Sequence, residues 1–396
     1  MRPLRIAMLA PFGIRPKGTL SARMLPLARE LVLRGHRVQI VAPAYLNPED
    51  AATTMAIDGV PVRHVRLPRL PGPAGTLETA VLLLRAALQT EPDLIHLFKP
   101  KGYSGIAALL ARLLRPNLPL VVDTDDWEGW GGWNDLAPYS YPMKHVFAWQ
   151  ERSLPRLASA VTVASRTLET QVWGFGVPPD RVCYLSNGVA AQPPILPDRE
   201  QARRQLGLGE EPIVLLYTRF WEYPLRDVLA VLHGLRSRRP DARLLVLGTG
   251  ERGEEQELDR LARHAGVAAQ LDQRGWADQA TIDAAFAASD VALAPFADTL
   301  MNRAKGMAKL LQLLHAGVPV VASRVGQAQE YIVEGRTGLL VPPGDEGALA
   351  QAVLDLLADP QHARQFGAAA QHHVCEQFSW SLLAERLESV YAATLK

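Results

Sequence analysis

Short apolar runs and longer helical periodicities alternate along most of this chain. LRIAMLA (4–10) is an almost unbroken apolar run ending at Pro11, and it predicts a buried parallel strand. A loop with Gly13 and Gly18 follows. Helical spacing then runs over about 20–34, with Leu20, Leu27 and Leu31 on one face, until Gly35 stops it and RVQIVAP opens a second strand. The theme recurs. DLIHLF (93–98) and LPLVVDT (118–124) are predicted strands flanking a helix at GIAALLARLL (105–114), and SAVTVAS (159–165) is another short strand.

The texture changes at 187–200, where Asn187-Gly188 signals a turn and a Pro- and Gln-containing stretch runs on to Asp198. Alternation then restarts with PIVLLYTR (212–219), ARLLVLG (242–248), AAQLDQRG (268–275), VALAPF (291–296), PVVAS (319–323) and TGLLVPP (337–343). The pattern predicts an α/β protein of two Rossmann-like, doubly wound domains. Their expected bounds are 1–188 and 201–376, with a linker at 189–200. An amphipathic helix within 377–396 is expected to return to the first domain. Folds of this kind bind ligands at the carboxyl ends of their strands, so the expected site is an interdomain cleft.

Length agrees, since 396 residues exceed one ordinary domain. A hydrophobic content of 48%, with 21% charged residues, is that of a soluble globular chain. The net charge of +1 gives no reason to expect a nucleic-acid partner. Cys183 and Cys375 lack metal-ligand spacing and read as reduced packing residues. The apolar run before Pro11 is too short for a signal-peptide core, and no later stretch reaches membrane-span length without a charge or proline. The expectation is a cytoplasmic protein that meets a membrane only at its surface. The Leu- and Arg-bearing helices at 81–88 and 105–115 are the places to look, with core packing as the competing reading.

Three stretches carry chemistry. LGTGERG (247–253) matches G-x-G-x-x-G after a strand, with Asp272 beyond it, which alone suggests a nicotinamide cofactor. That fingerprint normally sits on the first strand of its domain, whereas a full strand–helix unit precedes it here, so a tight glycine turn is the competing reading. Asp123-Thr124-Asp125-Asp126 contains Asp-x-Asp, a pattern that can hold a divalent metal and a diphosphate. Carboxylates at a strand end could equally orient acceptor hydroxyls, stabilise positive charge on a sugar, or cap the WEGWGGWND loop that follows. That tryptophan-rich loop offers stacking surface or a packed lid. The third stretch, APFADTLMNRAKGMAKLLQLLHAGVP (294–319), places a polar loop before a helix predicted from about 306. Helix N-terminal amides and a first-turn lysine form a cradle for a diphosphate. With only seven lysines against 35 arginines, Lys305 and Lys309 in one loop stand out, solvated surface lysines being the alternative.

Taken in order, these segments resemble a GT-B glycosyltransferase of family 4. The resemblance covers nearly the whole chain. Gly35-His36-Arg37-Val38 resembles the family's GHxV, DLIHLF its D-x-x-H strand and YLSNGV (184–189) the NGV closing its first domain. AGVPVVAS with VGQAQEYIVEGRTGLLVPPGD (325–345) matches its C-terminal signature. The resemblance implies a retaining transferase using a nucleotide-diphosphate sugar, with neither metal nor other cofactor. It places the family's diphosphate-binding arginine on Arg219. The lysine five residues later falls on Pro224, with Arg226 as a substitute nearby, and the paired glutamates fall on Ala304 and Gln312.

Gln312 can still bond ribose hydroxyls. A branch of the family carries asparagine and lysine at the positions of Asn302 and Lys309. The donor set implied is therefore Arg219, Lys309, Gln312 and Asn302, the amides of Gly306 and Met307, and Gly18-Thr19 in place of the N-terminal glycine pair. The histidine usually found before an aspartate near the cleft falls on Asp125, with Asp126 as that aspartate, which makes these two the candidate catalytic carboxylates. The acceptor, the base and the sugar are not specified. Two other readings stay open: a nucleotide-sugar-binding relative without transfer activity, and a sugar-nucleotide epimerase of the same fold.

Overall fold

The run after Leu4 forms β1 (Arg5–Leu9), buried from Ile6 onward as a strand covered on both faces must be. In the computed structural model, which describes residues 2–15 and 18–395, it lies inside an eight-stranded sheet. The other strands are β2 (Arg37–Ala42), β3 (Thr54–Ile57), β4 (Val60–His64), β5 (Leu94–Phe98), β6 (Leu120–Thr124), β7 (Ala160–Val163) and β8 (Val182–Tyr184). Their order is β3-β4-β2-β1-β5-β6-β7-β8. All pairings are parallel except β3 with β4, a hairpin whose turn places Asp58 and Gly59 at φ +49° and +79°. Positive φ at both central residues matches the twist of the flanking strands. Alanine-rich faces of the helices Gly72–Leu88 and Gly102–Leu114 pack on one side of this sheet. Leu27 and Leu31, with Leu383, Leu387 and Tyr391 of the helix Trp380–Thr394, fill the other.

The second sheet contains β9 (Ile213–Tyr217), β10 (Arg243–Leu247), β11 (Leu271–Gln273), β12 (Val291–Ala294), β13 (Val320–Ser323) and β14 (Leu339–Val341). It is wholly parallel, in the order β11-β10-β9-β12-β13-β14. The chain divides into two compact units. One is Met1–Gly188 with Ala304–Gly306 and Trp380–Lys396, and the other is Val189–Arg303 with Met307–Ser379.

Three local differences from expectation have physical causes. The helix predicted over 20–34 opens as a π-helical turn, Leu20–Met24, before becoming α-helical at Leu25–Leu33. Pro26 has no N–H for the carbonyl four residues back, so the ladder shifts register there. The stretch read as a linker up to residue 200 already turns helical at Arg199, because Asp198 caps the amides of Glu200 and Gln201. The helix predicted from about 306 begins at Ala308, after a separate short helix at Leu300–Ala304.

Candidate active site

In the first unit the site is built at the carboxyl ends of β5 and β6. Asp123, one residue before the end of β6, is fully buried, and the guanidinium of Arg23 meets both its oxygens, at 2.8 and 2.7 Å. Thr162, its register partner on β7, donates to the same carboxylate at 2.5 Å. Arg23 spends its remaining N–H groups on the carbonyls of Leu185 and Ser186 and on Asn187 Oδ1, which fixes the YLSNGV segment. Half of the Asp-x-Asp is thereby committed to a structural ion pair.

The motif histidines are likewise structural. His96 is wholly buried, with Nδ1 2.7 Å from the Tyr391 hydroxyl, and burial pulls its pKa down to about 3, so it is neutral. His36 Nδ1 accepts from the Leu4 amide, which leaves the proton on Nε2 facing Glu388 at 2.7 Å. Both histidines tie the sheet to the helix Trp380–Thr394.

Just past Asp123 the chemistry becomes denser. Asp125 is buried and Asp126 half-buried. Their partner is Lys99, which follows β5: its Nζ lies 3.5 Å from Asp125 Oδ1, 2.9 Å from Asp126 Oδ2 and 2.9 Å from Glu128 Oε1. Burial works against the Lys99 ammonium, but Asp125, Asp126 and Glu128 together hold its pKa well above the ordinary lysine value. Lys101 takes the other oxygen of Glu128 and donates to the Tyr139 hydroxyl at 2.8 Å, its ammonium over the Tyr139 and Phe147 rings. The Asp125 carboxylate also accepts from Thr19 Oγ1 at 2.8 Å, while its Oδ1 is buried without a hydrogen bond. Burial pushes the Asp125 carboxyl up to about 6, Asp126 and Asp123 push the same way, and Lys99 and Arg23 oppose them. Glu151, buried beside this cluster, is driven well above the usual carboxyl range, first by burial and then by Glu128.

Lys99 is also strained. Its φ of +57° lies in the left-handed region, which costs a side-chain-bearing residue about 1–3 kcal/mol.

Of the expected donor residues, Gly18 and Thr19 open the π-helical turn, Thr19 through its bond to Asp125. Gly306 belongs to the first unit. Its N–H donates to the Asp125 carbonyl at 3.2 Å and its carbonyl accepts from Asn187 at 3.3 Å. A β-carbon there would come within 2.5 Å of the Asn187 amide nitrogen, so this close approach requires glycine. One of the amides expected to face a diphosphate is therefore already engaged.

In the second unit, Arg219 is exposed just beyond β9. The following residue, Phe220, is buried at φ +66° with its amide held by Thr218 Oγ1 at 2.6 Å, which turns the chain sharply there. Lys309, on the helix Ala308–His315, places its ammonium 4.0 Å from the ring centre of Tyr217, two residues before Arg219. The fold thus brings Arg219 and Lys309 to the same strand end. Gln312 is half-buried one turn further on. Asn302 donates to the carbonyls of Glu222 and Ala297, both at 2.9 Å, so its amide group shapes the loop and only the buried Oδ1 is left over. The Met307 side chain is in the hydrophobic core, leaving its backbone as the part able to meet a ligand. Arg226, the substitute at the missing lysine, faces Asp227 and Glu346 at 3.5 and 3.6 Å.

The glycine-rich turn after β10 has a packing cause. A β-carbon on Gly248 would meet the Thr218 carbonyl oxygen at 1.8 Å. The helix that follows opens with Glu254, Glu255 and Glu257, and Glu255 occupies the Gly250 amide. Such a first turn repels a pyrophosphate. Asp272 is paired with Arg274.

Residues 18–188 match the family described as Glycosyl transferase 4-like domain, and residues 211–359 match Glycosyl transferases group 1. A D-inositol 3-phosphate glycosyltransferase 2 of Catenulispora acidiphila is 31% identical over 100% of this chain and 96% of its own. The chain belongs to the GT-B glycosyltransferases. A GDP-mannose-dependent alpha-(1-6)-phosphatidylinositol monomannoside mannosyltransferase of Mycolicibacterium smegmatis is 29% identical over 94% of both chains. The glycosyltransferase also shares its fold with a sucrose-phosphate synthase from Thermosynechococcus elongatus, with a TM-score of 0.76, 20% identity and 98% of each chain covered. Its donor is a sugar nucleotide.

Sequence reasoning missed Lys99, Lys101, Glu128, Glu151 and Arg23 in this glycosyltransferase. The scarcity of lysine was a usable signal, since Lys99 and Lys101 stand together in FKPKG directly after a predicted strand.

Proposed function

We propose that this glycosyltransferase moves a hexose from a nucleoside-diphosphate sugar to a hydroxyl-bearing acceptor, with retention of configuration and without a metal. The observation that carries the reading is the Asp125–Asp126 carboxylate pair at the end of β6, gathered around one buried ammonium. Lys99 puts positive charge among the carboxylates where a divalent ion would otherwise have to sit, and Asp123 is committed to Arg23. Arg219 and Lys309 offset the charge that develops on the leaving diphosphate. Asp125 and Asp126 orient the acceptor and stabilise the oxocarbenium-like centre. The leaving phosphate takes the acceptor proton as that hydroxyl attacks from the same face.

The names of the relatives make GDP-mannose the first donor to try and inositol-bearing compounds the first acceptors. Thermal shift against GDP-mannose, UDP-glucose, ADP-glucose and dTDP-glucose, followed by analysis of the product anomer in EDTA, tests the reading. No stabilisation by any of the four, an inverted product, or activity lost in EDTA and restored by manganese would each overturn its part.

Membrane contact is part of the same proposal. Among the described residues no helix is long and apolar enough to cross a membrane. The helices Gly102–Leu114 and Tyr141–Leu157 pack together and leave Leu113, Leu114, Val146, Trp149 and Leu157 exposed. Arg112, Arg115, Arg152 and Arg156 are exposed on the same two segments. Apolar side chains interspersed with arginines suit the interface of an anionic bilayer.

A further inference from the structure

We infer that Lys99 is a positioning residue for sugar transfer, holding Asp125 and Asp126 as an oriented, ionised pair. This rests on the role proposed above for those carboxylates.

The backbone supplies the first argument. Lys99 is held in the left-handed region by its own N–H to the Asp123 carbonyl at 2.9 Å and by the Lys101 N–H to its carbonyl at 2.7 Å. Glycine would occupy this position without strain, so a side chain here opposes the local conformation. What the side chain contributes is a single ammonium among three carboxylates.

The neighbouring cations cannot substitute. Arg23, on the π-helical turn, is locked onto Asp123, the carbonyls of Leu185 and Ser186 and the Asn187 side chain. Lys101 is taken up by Glu128 and Tyr139. Around Asp125 stand Asp123 on β6, Asp126 and Glu128 on the following loop, Glu151 on the helix Tyr141–Leu157, and the cations Lys99, Lys101 and Arg23. Removing Lys99 leaves a buried carboxylate beside other acids without a cation of its own, and such a group takes up a proton. The Lys99 ammonium is itself buried, so it acts through the carboxylates.

The test compares Lys99→Met, Lys99→Gly and Lys99→Arg with the native enzyme. Turnover of the best-stabilising sugar nucleotide among the four named above is followed from pH 5 to 9. In Lys99→Met the acid limb should move up by a pH unit or more, turnover at pH 7 should fall at least tenfold, and KM for the donor should stay within twofold. Lys99→Arg should recover much of the loss. Lys99→Gly relieves the left-handed backbone, so it should melt no lower than the Met variant, lose turnover, and regain part of it with added ethylamine. Folded Met and Gly variants with native turnover and an unmoved acid limb would overturn the proposal. So would an inactive Gly variant with an unmoved limb and no response to amine. Asp125→Asn is run alongside. If it keeps full turnover, the role assigned to the carboxylates has failed. If it loses turnover while Lys99→Met does not, only the role of Lys99 has failed.

Discussion

Arg23 and Asp123, one hundred residues apart in sequence, meet in two parallel bonds of 2.8 and 2.7 Å, with side chains 1% and 0% exposed. The pair joins the π-helical turn after β1 to the end of β6, and through Arg23 to the segment closing the first unit. A buried bidentate pair of this kind contributes little net energy beyond an apolar replacement, but it is costly to break from one side.

The first prediction follows from that asymmetry. Arg23→Met strands the Asp123 carboxylate with Thr162 alone and should destabilise the protein by about 3–5 kcal/mol. The double variant with Asp123→Leu should lose clearly less than the sum of the two single variants. Urea unfolding measures both. A loss under about 1 kcal/mol in Arg23→Met would show that the pair is not what holds these segments.

Glu151 gives a prediction about pH. Burial, with Glu128 beside it, raises its pKa well above the ordinary 4.5, so the folded protein keeps a proton that the unfolded chain releases. Its contribution is fully present below pH 4.5 and is lost as pH rises toward the folded pKa, at up to about 1.4 kcal/mol per pH unit. Glu151→Gln keeps the shape and a donor without the titration. The variant should match the native protein near pH 4.5 and be more stable at pH 8. A melting-temperature difference independent of pH would contradict the protonated assignment.

Most of the sheet architecture was legible because parallel strands buried on both faces read as apolar runs, as LRIAMLA and PIVLLYTR do. The β3–β4 hairpin escaped although Asp58-Gly59 is a strong turn signal, since TMAI and VPVRH are short and lie at a sheet edge. At the site, Asp125 and Asp126 were singled out because two acids at a strand end invite explanation. Lys99 was not, because lysines in a loop after a strand read as solvated surface. The counter-ion of the two carboxylates follows the neighbouring strand, a proximity that appears only once β5 and β6 pair. Gly306 and Asn302 were chosen as ligand contacts, and each turned out to have backbone-shaping duties that no spacing in the sequence reveals.

The donor cradle is tested at Arg219 and Lys309. Both stand at the end of β9, and a guanidinium and an ammonium there suit a diphosphate. Arg219→Ala and Lys309→Ala should each weaken binding of the free nucleoside diphosphate by about 1.5–3 kcal/mol in calorimetry, as expected for charge-assisted contacts. Tyr217→Leu should weaken it less, because the ring packs against the Lys309 ammonium and brings no charge of its own. Unchanged affinity in both alanine variants would move the diphosphate elsewhere.

Asp125 decides whether the carboxylate pair acts on the reaction. Its oxygens face Thr19 on one side and Lys99 on the other, and Oδ1 has no hydrogen bond despite being buried. An amide at this position preserves the shape and the bond from Thr19 but removes the charge. If the charge stabilises the transition state, Asp125→Asn should lower turnover by roughly 10²-fold or more. Donor affinity should stay within about 0.5 kcal/mol if the donor is held chiefly by Arg219 and Lys309. Its pKa of about 6 adds a signature in pH. The native enzyme should lose activity as the medium falls through pH 6 and Asp125 takes up its proton, and the residual activity of the Asn variant should lack that limb. Folding gives an independent readout with the opposite sign. A carboxyl raised from 3.8 to about 6 binds its proton more tightly in the folded state, so native stability should decline between those values as pH rises. Asp125→Asn should flatten that decline. Full turnover in the variant would remove Asp125 from the reaction, and a variant that melts before it can be assayed would assign the carboxylate to holding Lys99 and the loop in place.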